Sequence, residues 1–374
     1  MIRIIGVLCL ALAAGAAGVA RAAWDAHVLA NDLTDGYQVV IADVNHDGKP
    51  DLIAVASGQT DLVWYENPTW KRHVIASGLH HMINVAALDI DGDGIPEIAV
   101  AYEFSNDAPK SLGIVGVLHH DGDPTRLWTL REIDRLPTSH RLRWGKWNGK
   151  DILVNAPLTA PTAVPPLYEG RVPLVFYQPG DWKRQTIDTA NQGVQHGIYV
   201  SPHGLSDHIL TASFSGIDHY QFEGGKEGAK WDRREISRGD PSPCPKCGSG
   251  DVSVGHMNGA EMIVAIEGWH GNHVTVYFES HHKWVRNVID DGLTDGHTIL
   301  VANALGGVPQ SVVAGFRGNG GGVRFYAQAK NGTWRKTVVE DGAPAASCAA
   351  GKLTGSQMEL VCIGSTRITT YTPH

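Results

Sequence analysis

Apolar and polar residues alternate in short bursts along most of this 374-residue chain. A two-residue period of this kind predicts half-buried β-strands. The bursts recur in a fixed order. A strand of small or β-branched residues comes first, as at 38–42, and a tight acidic or Gly-rich turn follows. A more apolar strand comes next, as at 52–56, 262–266 and 360–363. A third strand ends near Tyr65, Tyr177, Tyr220, Tyr277, Tyr326 or Tyr371. A fourth opens on tryptophan: Trp24, Trp70, Trp128, Trp182, Trp231, Trp284 and Trp334, spaced 46 to 58 residues apart.

Four antiparallel strands repeated at about this spacing predict an all-β, seven-bladed β-propeller. The last repeat supplies only three strands, and the Trp24 segment has no repeat before it. The N-terminal strand is therefore expected to join the last blade and close the ring, which removes exposed edges. Blade two departs from the pattern, because its third strand (113–119) lacks the tyrosine. Blade three carries a Pro-rich insertion at 159–171. Insertions of this sort belong on a face of the ring, where they shape a pocket.

Composition adds a location. Residues 1–22 read as a signal peptide, with Arg3, an apolar run at 4–12 and Ala20-Arg21-Ala22 for cleavage. The run is too short to favour a membrane span. Residues 23–374 are then one domain, secreted or periplasmic, with no membrane insertion after cleavage. Loss of Arg3 and Arg21 takes the formal charge from −8 to −10. A nucleic-acid partner would need a basic stripe, and none is present. Cys244, Cys247, Cys348 and Cys362 remain, an even number that suggests disulfides in an exported chain. Cys244-Pro-Lys-Cys247 also has the spacing of half a zinc knuckle. Spacing alone does not assign the pairing.

Two first-to-second-strand turns carry cation chemistry. Blade one offers Asp43, Asn45, Asp47 and Asp51; blade two offers Asp89, Asp91, Asp93 and Glu97. Oxygen ligands at alternate positions, a Gly for the sharp turn and a distal carboxylate suit calcium. The D-x-[DN]-x-D-G-x-x-[DE] pattern resembles the FG-GAP or VCBS type of repeat. The other five blades have lost it.

Histidines recur where the chain enters a blade's innermost strand: His80 and His81, His140, His196 and His297. In a propeller these starts ring the central channel on the face opposite the acidic turns. The connections between second and third strands open on the same face and bring Glu103, Glu267, Trp269, His270 and Arg317. Converging neutral imidazoles can ligate zinc or another divalent metal. His140, His196 and His297 are the expected ligands or base, with His81 and His270 assisting. Arg317 can stabilise an oxyanion. Trp269 can platform a sugar ring, with Glu103 and Glu267 as further substrate contacts.

These pieces, in the order His80-His81, His140-Arg141, Gln195-His196-Gly197, Glu267-Gly-Trp-His270-Gly271, Asp295-Gly-His297 and Gly315-Phe-Arg317-Gly318, resemble the propeller domain of aldos-2-ulose dehydratases. The resemblance implies a metal-dependent carbon–oxygen lyase that eliminates water from a keto-sugar or other carbohydrate. Two other readings of the same residues stand beside it. One is a calcium-binding propeller for binding or adhesion without catalysis. The other is a propeller glycoside hydrolase with Glu103 and Glu267 as its carboxylate pair.

Overall fold

The computed structural model describes residues 24–223 and 230–374; the expected signal segment lies outside the described residues. Seven four-stranded antiparallel sheets form a ring, and six of them run from inner to outer strand in chain order. Their innermost strands are Gly36–Ala42, Asn84–Leu88, Ser139–Trp147, Gln195–Ser201, Ser249–Met257 and Gly296–Asn303. Blade seven takes Ser347–Gly351, Glu359–Gly364 and Arg367–Pro373 from the C-terminus and Trp24–Ala30 from the N-terminus. Trp24 faces Pro373 and His27 faces Thr370 in that seam. The expected closure is therefore formed. Among the described residues no helix is long and apolar enough to cross a membrane.

The core is divided among the seams rather than gathered at one centre. Each sheet is apolar on both faces, so each must bury both against its neighbours. Ile53, Leu62 and Trp64 of blade one pack on Val85, Ile98 and Val100 of blade two. The last seam sets Val361, Ile363 and Ile368 of blade seven against Val39, Leu52 and Ala54 of blade one. The tryptophans wedge these seams at the outer rim: Trp24 of blade seven meets Phe325 of blade six at 5.4 Å between ring centroids.

Polar side chains tie the inner strands together. Gln38 both donates to and accepts from the backbone of Val85, at 3.1 and 2.7 Å. Asn84 accepts from Leu142 N–H at 2.8 Å, and Asp251 accepts from Ile299 N–H at 3.0 Å. These bonds satisfy buried groups and fix the rotation of each blade against the next. The cysteines pair as Cys244–Cys247 and Cys348–Cys362. The second pair lies directly across two strands of the closing blade. Cys244 and Cys247 thus form a short disulfide loop, not half of a zinc knuckle.

Candidate metal and substrate site at the channel mouth

Five innermost strands begin with a β-bulge. Their register slips between Gly36 and Gln38, Ser139 and Arg141, Gln195 and Gly197, Ser249 and Asp251, and Gly296 and Thr298. The extra residues are Tyr37, His140, His196, Gly250 and His297. A bulge leaves one residue outside the ladder and re-aims its side chain. The repeat therefore delivers one tyrosine and three histidines to the channel mouth.

Gly250 is the exception that admits the fourth imidazole. A Cβ there would lie 3.0 Å from Gly268 O and 3.4 Å from His270 N. With no side chain at 250, the turn Gly268–Gly271 folds over that position, held by Gly268 N–H to Gly248 O at 3.0 Å. His270, with φ of 49°, then points back beside its neighbours.

One nitrogen from each of His196, His270 and His297 falls within 4.8 Å of the others. The opposite nitrogens are tied to oxygen. His196 Nδ1 donates to Gly250 O at 2.8 Å, and His297 Nδ1 to Ala346 O at 2.5 Å. His270 Nδ1 lies 3.0 Å from Asp295. An Nδ1–H given to an acceptor leaves Nε2 as a bare lone pair. His270 Nε2 and His196 Nε2 stand 3.4 Å apart, and His297 Nε2 is buried without a hydrogen-bond partner. Lone pairs turned on one another repel unless a cation lies between them. Two nitrogens at zinc-bonding distance in a tetrahedral shell also stand about 3.3 Å apart. The donor set fits a divalent transition metal, and the outer oxygens supply the orienting partners such sites have.

The electrostatics agree. Burial, followed by the Arg141 charge, holds His140 and His196 well below the usual imidazole range. Burial and the Arg317 charge do the same for His297. His270 is lowered by burial, against the opposing pull of Asp295. Neutral imidazoles are the form that binds metal. Burial would raise the Asp295 carboxyl, but hydrogen bonds from His270 and Arg317 and the Arg317 charge hold it down to about 2. Arg317 grips Asp295 through Nε at 3.1 Å and Nη2 at 3.2 Å.

His140, expected among the ligands, stands to one side. Its Nε2 takes the Tyr37 hydroxyl at 3.1 Å. Tyr37 was not legible as a site residue from its type alone. The signal was a duplication: Leu33-Thr-Asp-Gly-Tyr37 matches Leu293-Thr-Asp-Gly-His297.

A cavity of about 760 Å³ covers the cluster and is lined by Tyr37, His81, Phe104, His140, Trp269 and Arg317, among others. His81 is exposed at its lip. Trp269 forms a wall, braced edge-on by Tyr168 of the blade-three insertion at 5.3 Å. The two glutamates do not form a carboxylate pair in this cavity. Glu267 is fully buried and engages Arg286 and Tyr277 inside its own blade. Glu103 does not line the cavity.

On the opposite face, Asp89, Asp91 and Asp93 bring oxygens within 4.8 Å of one another. Asp89 accepts from Gly92 and Gly94 N–H groups at 2.7 and 2.9 Å. Glu97 pairs with His119 at 2.8 Å. In blade one, Asp43 accepts from Asp47 and Gly48 N–H at 3.1 and 2.9 Å, and Lys49 holds Asp47 at 2.7 Å. Asn45 reaches Glu66 at 3.4 Å. Asp51 is buried and accepts from Val44 and Asn67 N–H at 2.9 and 2.8 Å; burial lifts its carboxyl to about 6.

Comparison with known proteins sharpens this picture. Residues 113–280 match the family of the aldos-2-ulose dehydratase β-propeller domain, and residues 24–100 match the FG-GAP-like repeat family. Aldos-2-ulose dehydratase from Phanerodontia chrysosporium is 26% identical over 243 residues, which are 56% of this chain and 25% of that protein. Among solved structures, the BBS1N chain of a complex with ARL6DN aligns with a TM-score of 0.60 at 11% identity, over 95% of this chain and 98% of its own. An ancestral GH74 enzyme aligns with a TM-score of 0.58 at 12% identity, over 90% and 44%. The Dos1 propeller does so at 0.58 and 12%, over 91% and 82%. Those structural likenesses concern the fold alone. The chain is a seven-bladed propeller that matches the FG-GAP-like repeat over residues 24–100 and, over its middle blades, resembles the propeller domain of aldos-2-ulose dehydratase.

Proposed function

We propose that the chain is a metal-dependent lyase that eliminates water, or another β-substituent, from a keto-sugar or related carbohydrate. The observation that carries this reading is one ring nitrogen from each of His196, His270 and His297 within 4.8 Å of the others, beside a sugar-sized cavity. The likeness to a dehydratase of aldos-2-uloses supplies the reaction class.

A divalent cation bound there supplies Lewis acidity, which polarises a carbonyl oxygen and acidifies the neighbouring C–H. His196, His270 and His297 would hold it, with Gly250 O, Asp295 and Ala346 O fixing their ring orientation. Arg317 spends Nε and Nη2 on Asp295, so Nη1 is left to meet a substrate oxygen. Trp269 offers a flat apolar face to the sugar ring. The cavity lies within the usual range for small-molecule sites.

The acidic turns of blades one and two are proposed as calcium sites that brace the ring far from the chemistry. Export is proposed from the signal-like leader, and two disulfides suit an oxidising compartment.

The test pairs metal analysis with ultraviolet absorbance. Purified protein should carry about one transition metal per chain, and incubation with keto-sugars or uronic-acid polymers should produce a conjugated chromophore. His196→Ala with His297→Ala should lose both. Retention of stoichiometric transition metal by that double variant would sink the ligand assignment. Calcium as the sole bound metal, with no chromophore, would favour a binding module.

A further inference from the structure

We propose that Tyr37 moves the substrate proton in this elimination, with His140 as the positioning residue that takes and returns the tyrosine's own proton. The role rests on the lyase reading above.

Four observations carry it. Tyr37 occupies the bulge position that elsewhere holds His140, His196 or His297. The four-residue match between 33–36 and 293–296 gives blade one the backbone that presents His297 in blade six, but with a phenol at the next position in place of the imidazole. The Tyr37 ring stands edge-on to His297, 5.1 Å between centroids, so it borders the proposed metal cluster while lining the cavity. Its hydroxyl is 3.1 Å from His140 Nε2, and the Arg141 guanidinium lies 5.4 Å from its ring centroid.

His140 itself is buried and its Nδ1 has no hydrogen-bond partner. A neutral His140 whose Nε2 accepts from Tyr37 carries its proton on Nδ1. Tyr37 itself lines the cavity, and a phenol oxygen that donates to His140 keeps lone pairs to accept a proton.

The step balances without a co-reactant. The Tyr37 oxygen takes the proton from the carbon beside the carbonyl while its own proton passes to His140 Nε2. The C–H electron pair becomes the new π-bond, and the β-carbon–oxygen bond breaks with its pair on oxygen. That oxygen takes the proton from Tyr37, and His140 returns its proton to the phenol. The substrate has lost water and the pair is unchanged. The Arg141 charge favours the developing phenolate.

Tyr37→Phe removes only the hydroxyl, and the variant is compared with His140→Ala and wild type. Metal content, kcat, KM and exchange of the substrate α-proton with deuterated water are measured. Both variants should keep the metal and a KM within a few fold, lose about 100-fold or more in kcat, and lose α-proton exchange. A Tyr37→Phe enzyme that keeps kcat within about tenfold and still exchanges the proton overturns the role, as does one that loses its metal. If wild-type protein eliminates nothing from either substrate class, the lyase reading and this role fall together. Wild-type turnover undisturbed by the substitution sinks only the role.

Discussion

The hydroxyl of Tyr326 in blade six donates to the Asp290 carboxylate of blade five at 2.6 Å. The same relation recurs around the ring. Tyr65 reaches Asp32 at 2.8 Å, Tyr177 reaches Asp134 at 2.6 Å and Tyr220 reaches Asp188 at 3.0 Å. Each tyrosine is paired across strands with a base or lies beside one: Arg72, Arg184, Arg233 and Lys336. Third-strand phenol, fourth-strand cation and the preceding blade's acid thus rivet one seam after another.

Removing a rivet should cost stability without touching the mouth. Tyr326→Phe leaves Asp290 with Lys336 but without its buried donor. We expect a loss of about 1–2 kcal/mol, read by urea unfolding, with metal content unchanged.

The same rivets set an acid limit. Burial would raise the carboxyls of Asp134 and Asp290, but their hydrogen bonds to Tyr177 and Arg184, and to Tyr326 and Lys336, outweigh it and hold both below the usual range. A carboxyl lowered in the folded state stabilises fully above its unfolded value and loses that contribution as pH falls through the folded one. Unfolding free energy should therefore decline below about pH 4. The Tyr177→Phe and Tyr326→Phe variants should show a shallower decline, and an unchanged slope would refute the linkage.

These rivets also explain what could be read in advance. The tryptophan segments carry the base at their third residue, as in Trp70-Lys-Arg72, Trp182-Lys-Arg184 and Trp334-Arg-Lys336. Every seam needs the same groups, so the pattern repeats and the blades can be counted. Blade two lacks the tyrosine and has Leu118 opposite Leu130 instead, an apolar pair for a polar one. The mouth repeats less, because each blade contributes a different side chain there. Sequence placed His196, His270, His297 and Arg317 at one mouth correctly. It could not show that the turn after Glu267 crosses Gly250 and substitutes His270 for His140, since that depends on a missing Cβ. Nor could it show that Glu267 turns inward, because its partner Arg286 is nineteen residues away.

The closing blade offers a separate test. Cys348 and Cys362 face each other across adjacent strands of blade seven, the blade completed by Trp24–Ala30. Cross-linking a loop of this size limits the unfolded chain and is worth about 3 kcal/mol. Replacing both cysteines with alanine should lower stability by about that amount and release the N-terminal strand first. Hydrogen exchange at the backbone amides of 24–30 would report it, and full protection there in the double variant would contradict the role of the bridge.

Gly250→Ala separates metal binding from folding. The new Cβ meets the Gly268–His270 backbone rather than a flexible side chain, so the turn must move and carry His270 with it. The blade's own strands remain paired, since position 250 is already outside the ladder. We expect native circular dichroism, intact rivets and a fall in metal affinity of at least tenfold by competition titration. Asp295→Asn provides the complementary case: the backbone stays, but His270 loses its carboxylate partner and Arg317 its anchor. Loss of such an outer partner costs about 10–100-fold in metal affinity. Gly250→Ala binding metal as tightly as wild type would show that His270 is not held in place by the crossing turn.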